Sequence, residues 1–173
     1  MLLAKGDGTW RSPSSATVSR TATIYRRILS CRPTSASAAR ANRSPHLKWS
    51  DAPAGTKSFA VTCYDPDAPT GSGFWHWLVV NIPANVNELA EGAGSAGGKL
   101  PTGALQTRTD FGAPGYGGPC PPAGDHPHRY LFTVFAVKAD KLDVKVDTSA
   151  AVVGFNLHFN TLAKAKIMGL FKR

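Results

Sequence analysis

Three runs of strand length carry most of the apolar residues in the centre of the chain. Ser58-Phe59-Ala60-Val61-Thr62-Cys63-Tyr64 alternates and is rich in β-formers, which predicts a strand. Residues 75–82 form a nearly continuous apolar run, the pattern of a strand covered on both faces, and Pro83 ends it. Residues 129–137 give the clearest strand, with Tyr130, Phe132, Val134 and Ala136 set against Leu131, Thr133, Phe135 and Val137. Residues 104–109 predict a shorter strand, and residues 85–91 one helical turn. Near the C-terminus the spacing changes. Asp147-Thr148-Ser149 can cap a helix, and Val152, Phe155, Phe159, Leu162 and Ile167 follow helical spacing, so a helix is predicted to run to about Gly169.

Between these runs lie shaped loops. Residues 65–74 hold Asp65-Pro66-Asp67-Ala68-Pro69 and two glycines, and residues 92–103 are glycine-rich. Residues 111–127 hold glycines at 112, 115, 117, 118 and 124 and prolines at 114, 119, 121, 122 and 127. Structureless loops of this length in a compact domain are usually functional. The pattern predicts a β-rich domain with one substantial C-terminal helix and long loops.

Residues 1–41 break the pattern. They are rich in Ser, Thr, Ala and Arg, and only residues 23–29 could hold a short ordered element. A poorly ordered tail, an Arg-rich and Ser-rich presequence and a non-ancestral start all fit that composition. A secretory signal does not, because no apolar stretch of adequate length follows the first charges. The expected organisation is an atypical basic segment over 1–41 and a folded domain over 42–173.

Charge sharpens this division. The chain of 173 residues carries a net charge of +9. Residues 1–43 account for +7 of it and residues 44–173 for only +2. The basic character therefore belongs to the N-terminal segment, and no nucleic acid is expected as a partner of the folded domain. The three cysteines are far apart and odd in number, which is neither a disulfide framework nor a zinc pattern. A reducing, cytoplasmic setting is expected. No apolar run reaches the roughly 18–20 residues of a membrane span.

The chemistry-bearing residues gather in two of the loops. Asp65 and Asp67 straddle Pro66, and His76 stands between Trp75 and Trp77. One carboxylate could brace the loop through backbone N–H groups while the other orients an imidazole; both could equally be turn residues. Gly115-Tyr116-Gly117-Gly118-Pro119 could present backbone N–H groups as an anion nest. His126 and His128 make a weak metal pattern, but no Cys-x-x-Cys or His-Glu-x-x-His accompanies them, and zinc needs three or four ligands in tetrahedral arrangement. No metal and no cofactor are expected. No nucleophile motif, P-loop or dinucleotide fingerprint is present, so the chain is not expected to be an enzyme. An acid–base hydrolase using His76 and Asp65 is the alternative.

These loops resemble the phosphatidylethanolamine-binding protein family, and most of all its prokaryotic, Raf-kinase-inhibitor-like branch. The matching residues are Asp65-Pro66-Asp67-Ala68-Pro69, Trp75 to Pro83, Gly115 to Pro122 and His128-Arg129-Tyr130, with Asn42-x-Ser44-Pro45-His46-Leu47-x-Trp49 before them. The resemblance covers residues 42–173. It implies a mainly β fold with flanking helices, in which a large antiparallel sheet is joined by a smaller sheet and a C-terminal helix. It also implies a small anion pocket at one end of the large sheet, formed by Asp65, Asp67, Pro69, His76, Pro122, His128 and Tyr130. In that pocket Asp65 orients His76, His76 meets phosphoryl oxygens, His128 and Tyr130 close the site, and Pro69 and Pro122 fix its rim. The implied partners are a phospholipid head group, another phosphate-containing small molecule or a phosphorylated protein side chain. A modulator of a kinase or protease and a homodimer are implied as well.

Overall fold

The computed structural model describes residues 23–25 and 42–173. The expected poor order of residues 1–41 therefore lies outside the described residues, apart from the short strand β1 (Thr23–Tyr25). The elements that follow are β2 (His46–Lys48), β3 (Ser58–Asp65), β4 (Phe74–Pro83), β5 (Glu88–Leu89), β6 (Leu105–Gln106), β7 (His128–Val137), α1 (Ala150–Asn160) and β8 (Thr161–Phe171). They form a five-stranded sheet in the order β6-β4-β3-β7-β8 and a three-stranded sheet in the order β1-β2-β5. Every pairing is antiparallel.

The three central strands match the sequence patterns to within about a residue, because their alternation is real burial. On one face of the large sheet, Phe59, Val61, Cys63, Trp77, Val79, Phe132 and Val134 pack with Leu47, Trp49 and Leu89 of the small-sheet side. On the other face, Ala60, Leu78, Val80 and Val137 pack against Ala150, Val153 and Leu157 of α1. Strands β3 and β4 are thus covered on both sides, and each fully buried Val or Leu adds about 1.5–3 kcal/mol.

Two expectations about the C-terminal region and one about 85–91 are corrected. The helix ends at Asn160 and does not reach Gly169. Leu162 and Ile167 belong instead to β8, which pairs with β7 along its whole length, from His128↔Phe171 to Val137↔Thr161. In β8, Ala163 and Ala165 are buried while Lys164, Lys166, Met168 and Leu170 are exposed, a period of two imposed by the sheet. The helix also turns a different face inward. Ala150, Val153 and Leu157 are its buried residues, whereas Val152, Phe155 and Phe159 are 49%, 66% and 59% exposed. Residues 85–91 form no helical turn; they carry β5, which pairs with β2. Among the described residues α1 is the one helix.

Strand β4 holds two irregularities. Cys63 faces Trp77 and Tyr64 faces Trp75, so His76 is an extra residue without a cross-strand partner on β3. A second register shift lies between the Phe59 and Val61 pairings. It accommodates Asn81, whose φ of 58° is left-handed and whose side-chain amide pairs with the Leu142 backbone at 2.7 and 3.3 Å. A bulge bends the strand and re-aims a side chain. At His76 it turns the imidazole towards the ends of β3 and β7.

Candidate functional site

Asp65 is the last residue of β3 and is 2% exposed. Its two oxygens have separate tasks. Oδ1 accepts the Asp67 N–H at 2.9 Å, which turns the chain at Pro66. Oδ2 accepts a hydrogen bond from His128 Nδ1 at 2.8 Å. The turn closes at Gly73, where φ is +68° and an added Cβ would lie 2.7 Å from the Asp65 carbonyl oxygen; only glycine fits there.

The expected pairing of Asp65 with His76 is corrected. His76 Nε2 lies 3.9 Å from Asp65 Oδ2, beyond hydrogen-bonding distance. The imidazole is oriented by the second loop, because Nδ1 donates to the Gly117 carbonyl at 3.0 Å. Burial lowers the pKa of His76, outweighing the Gly117 carbonyl and the Asp65 charge that pull it up. The neutral ring with hydrogen on Nδ1 is thereby favoured. Tyr130, Phe74 and Phe111 surround the ring at centroid distances of 5.1, 5.2 and 5.3 Å.

His128 is 1% exposed and lies between two carboxylates. Nδ1 meets Asp65, and Nε2 meets Asp125 Oδ2 at 3.2 Å. Burial pulls its pKa down, but the hydrogen bonds to Asp65 and Asp125 prevail and the net shift is upward. Tyr130, one turn of the pleat further along β7, is 1% exposed. Burial, with the Asp65 charge beside it, raises its hydroxyl well above the usual range, so it keeps its proton at neutral pH. Asp65 and Cys120 lie near that hydroxyl, but it has no hydrogen-bond partner among the described residues.

Asp67 does something the sequence did not indicate. It holds Arg129, accepting the backbone N–H at 2.8 Å and side-chain N–H groups at 2.6 and 2.9 Å. The Arg129 guanidinium keeps the Asp67 pKa at about 2. Because the folded value is depressed, the contact stabilises the fold above the ordinary value of 3.8 and is lost as pH falls towards about 2. Urea unfolding of wild type and Asp67→Asn at a series of pH values should therefore give curves that differ near neutrality and converge near pH 2. A constant difference down to that pH would sink this account.

Pro69 and Pro122 are both exposed, and the Pro122 carbonyl accepts the Asp125 N–H at 3.2 Å in a turn. The expected N–H nest is not free. The Tyr116, Gly117 and Gly118 N–H groups donate to Gly94 O, His76 O and Asn42 Oδ1. They lock the second loop to the first and to the Asn42-x-Ser44 segment, where the Ser44 hydroxyl accepts the Gly94 N–H at 2.9 Å. The structure thus brings Asp65, His76, His128 and Tyr130 together, with Asp67 one bond away. Sequence reasoning missed Asp125, Arg129, Phe111 and the Gly117 carbonyl as parts of the cluster. Asp125 stands three residues before His128, and that spacing was the one available signal.

Asp65, His76, His128 and Tyr130 are all buried. A cavity of about 420 Å³ lies elsewhere, between α1 and the sheet, lined by residues such as Thr62, Leu78, Phe135 and Leu157. None of the seven expected site residues lines it. No helix among the described residues is long and apolar enough to cross a membrane.

Comparison with known proteins accords with this architecture. The protein YbhB of Escherichia coli K12 is 59% identical over 130 residues, covering 75% of this chain and 82% of its own. YbcL of the same organism is 58% identical over 132 residues, covering 76% and 72%. The crystal structure of E. coli YbcL, described as a new member of the mammalian PEBP family, superposes with a TM-score of 0.79 over 97% of this chain and 99% of that one, at 46% identity. The lower identity reflects the longer stretch compared. A homolog from Chlamydia trachomatis, titled a putative phosphatidylethanolamine-binding protein, gives a TM-score of 0.67 at 27% identity over 88% and 97%. The family model for phosphatidylethanolamine-binding protein matches residues 15–172. With its two antiparallel sheets, its C-terminal helix and this match over most of its length, the chain belongs to the phosphatidylethanolamine-binding protein family.

Proposed function

We propose that the chain is a non-catalytic binding protein whose cluster at His76 and Tyr130 takes a phosphate-like anion. Family membership supports binding over turnover. The observation that carries the finer reading is the Tyr130 hydroxyl, a buried donor that makes no well-formed hydrogen bond among the described residues although the Asp65 carboxylate lies near it. Such groups are rare because each costs about 1–3 kcal/mol. An anion oxygen beside it would satisfy the hydroxyl and would lie within reach of His76 Nε2. Asp65 and His128 set the frame, Asp67 with Arg129 holds the first loop, and Pro69 and Pro122 mark the exposed rim. Phe111, 53% exposed and packed edge-on against His76, is the ring that must shift for an anion to enter.

Turnover through Asp65 and His76 is the weaker reading, because the carboxylate is committed to His128. The ligand is a phospholipid head group or a phosphorylated side chain, and modulation of a kinase or protease follows from the second. A cytoplasmic setting accords with the free thiols of Cys63 and Cys120. The homodimer belongs to the same proposal and is decided by sedimentation.

The test is an NMR titration with inorganic phosphate, phosphoethanolamine and phosphoserine. Saturable shifts centred on His76, Gly117 and Tyr130 are expected, and the stronger of the two organic ligands identifies the source. No shift at about 10 mM of any of them, an affinity below about 3 kcal/mol, would overturn the reading. Tyr130→Phe separates binding from folding. Removing an unsatisfied hydroxyl should leave stability unchanged or raise it by about 1 kcal/mol, while anion affinity falls roughly tenfold. A variant that loses both equally would make the hydroxyl structural.

A further inference from the structure

Asp125, His126 and His128 stand where the second loop runs into β7. One ligating atom from each lies within 4.8 Å of the others. Asp125 is the hub: one carboxylate oxygen is 2.8 Å from His126 Nδ1 and the other is 3.2 Å from His128 Nε2. Bonds of about 2.0–2.2 Å to a tetrahedral ion set its donors roughly 3.3 Å apart. The three groups are therefore within a small side-chain adjustment of a ligand set.

Three features separate this arrangement from a chance meeting of surface groups. First, His128 is held from behind. Its Nδ1 donates to the buried Asp65 carboxylate at 2.8 Å, which fixes the ring and points Nε2 outward. An imidazole backed by a carboxylate in this way is the usual support of a metal-binding histidine. Second, the backbone is already shaped. Gly124 has φ of +85°, its N–H donates to the Arg173 carbonyl, and the Asp125 N–H donates to the Pro122 carbonyl, both at 3.2 Å. Pro127 stiffens the step between the two histidines. Third, carboxylates flank both imidazoles: Asp125 meets His126 and His128, and Asp65 meets His128 from behind, while the neighbouring Asp67 is paired with Arg129.

We propose that Asp125, His126 and His128 bind a divalent transition-metal ion of the zinc, cobalt or nickel class, with one coordination position left open. Imidazole and carboxylate donors suit those ions, and three protein ligands leave a fourth position for water or an anion oxygen. The ion enters from solvent, since the His126 and Asp125 side chains are 62% and 31% exposed. This departs from the sequence expectation of no metal, which weighed His126 and His128 with a distant Asp but not with the adjacent Asp125.

The test uses the full chain, reduced and free of chelator and phosphate, titrated with zinc by calorimetry and with cobalt(II) by visible absorption. Saturation at one ion per chain is expected, with the intense absorption of a four-coordinate cobalt site. His126→Ala and Asp125→Asn should each weaken binding at least about tenfold, and His158→Ala on α1 should leave it unchanged. Both ligand substitutions fall on solvent-accessible side chains, and thermal unfolding checks that each variant is folded. No saturable binding up to about 1 mM free zinc, or binding unaltered by both substitutions, overturns the proposal. The readout needs no anion, so failure of phosphate binding would leave it standing.

Discussion

Asp65→Ala is expected to destabilise the fold by about 3–5 kcal/mol, the usual result of removing one partner of a buried ion pair. His128 is 1% exposed and the carboxylate facing its Nδ1 is 2% exposed. Truncation leaves the imidazole with a buried N–H and no acceptor on that side. It also releases the Asp67 N–H, and with it the turn that places Asp67 against Arg129. Asp65→Asn should lose less, because an amide oxygen can still accept one of the two hydrogen bonds. Urea unfolding measures both. A loss below about 1 kcal/mol for the alanine variant would mean that His128 finds another acceptor or water, and the frame ascribed to Asp65 would have to be abandoned.

His76→Ala should weaken phosphate or sulfate binding by about 30-fold or more, the loss of one charge-assisted hydrogen bond of about 2–3 kcal/mol. The pH dependence gives a sharper form of this expectation. In the free protein Nδ1 donates to Gly117 and burial lowers the pKa below 6.5. The neutral ring therefore has only a lone pair at Nε2, which repels an anion. Binding requires the second proton, so affinity is greatest where the ring is already charged. It should fall as pH rises through the lowered pKa, by up to about tenfold per unit, until the pKa of the bound state is passed. Sulfate is the better probe because its own charge is constant over this range. The slope should vanish in His76→Ala. Sulfate affinity independent of pH in wild type would remove His76 from the set of donors.

Much of the fold could be read locally, and the misreadings share one cause. Strands β3, β4 and β7 announce themselves by alternation because each buries its own side chains against fixed neighbours. Strand β8 does not. Thr161-Leu162-Ala163-Lys164-Ala165-Lys166 is built largely from good helix formers, and its strand conformation comes from the open edge of β7, a partner distant in sequence. In the site, the two loops and their acid and imidazole residues were legible from composition. Which imidazole meets Asp65 was not. That choice follows from the pairing of Tyr64 with Leu131, which sets the end of β3 beside the start of β7, and from the extra residue at His76 in β4. Register is a property of two strands, so neither segment alone encodes it.

The late position of β8 bears on how the chain is made. His128 and Tyr130 sit on β7, which is inner in the finished sheet but has nothing along one side until Thr161–Phe171 has been synthesised. During that interval Tyr130, Phe132 and Val134 lie on an exposed edge, the kind that recruits another chain. A truncation within β8 should consequently be felt first as aggregation of the nascent protein, before any defect at the cluster around His76 and His128 could be measured. For production of the protein, the final strand matters more than its surface lysines suggest.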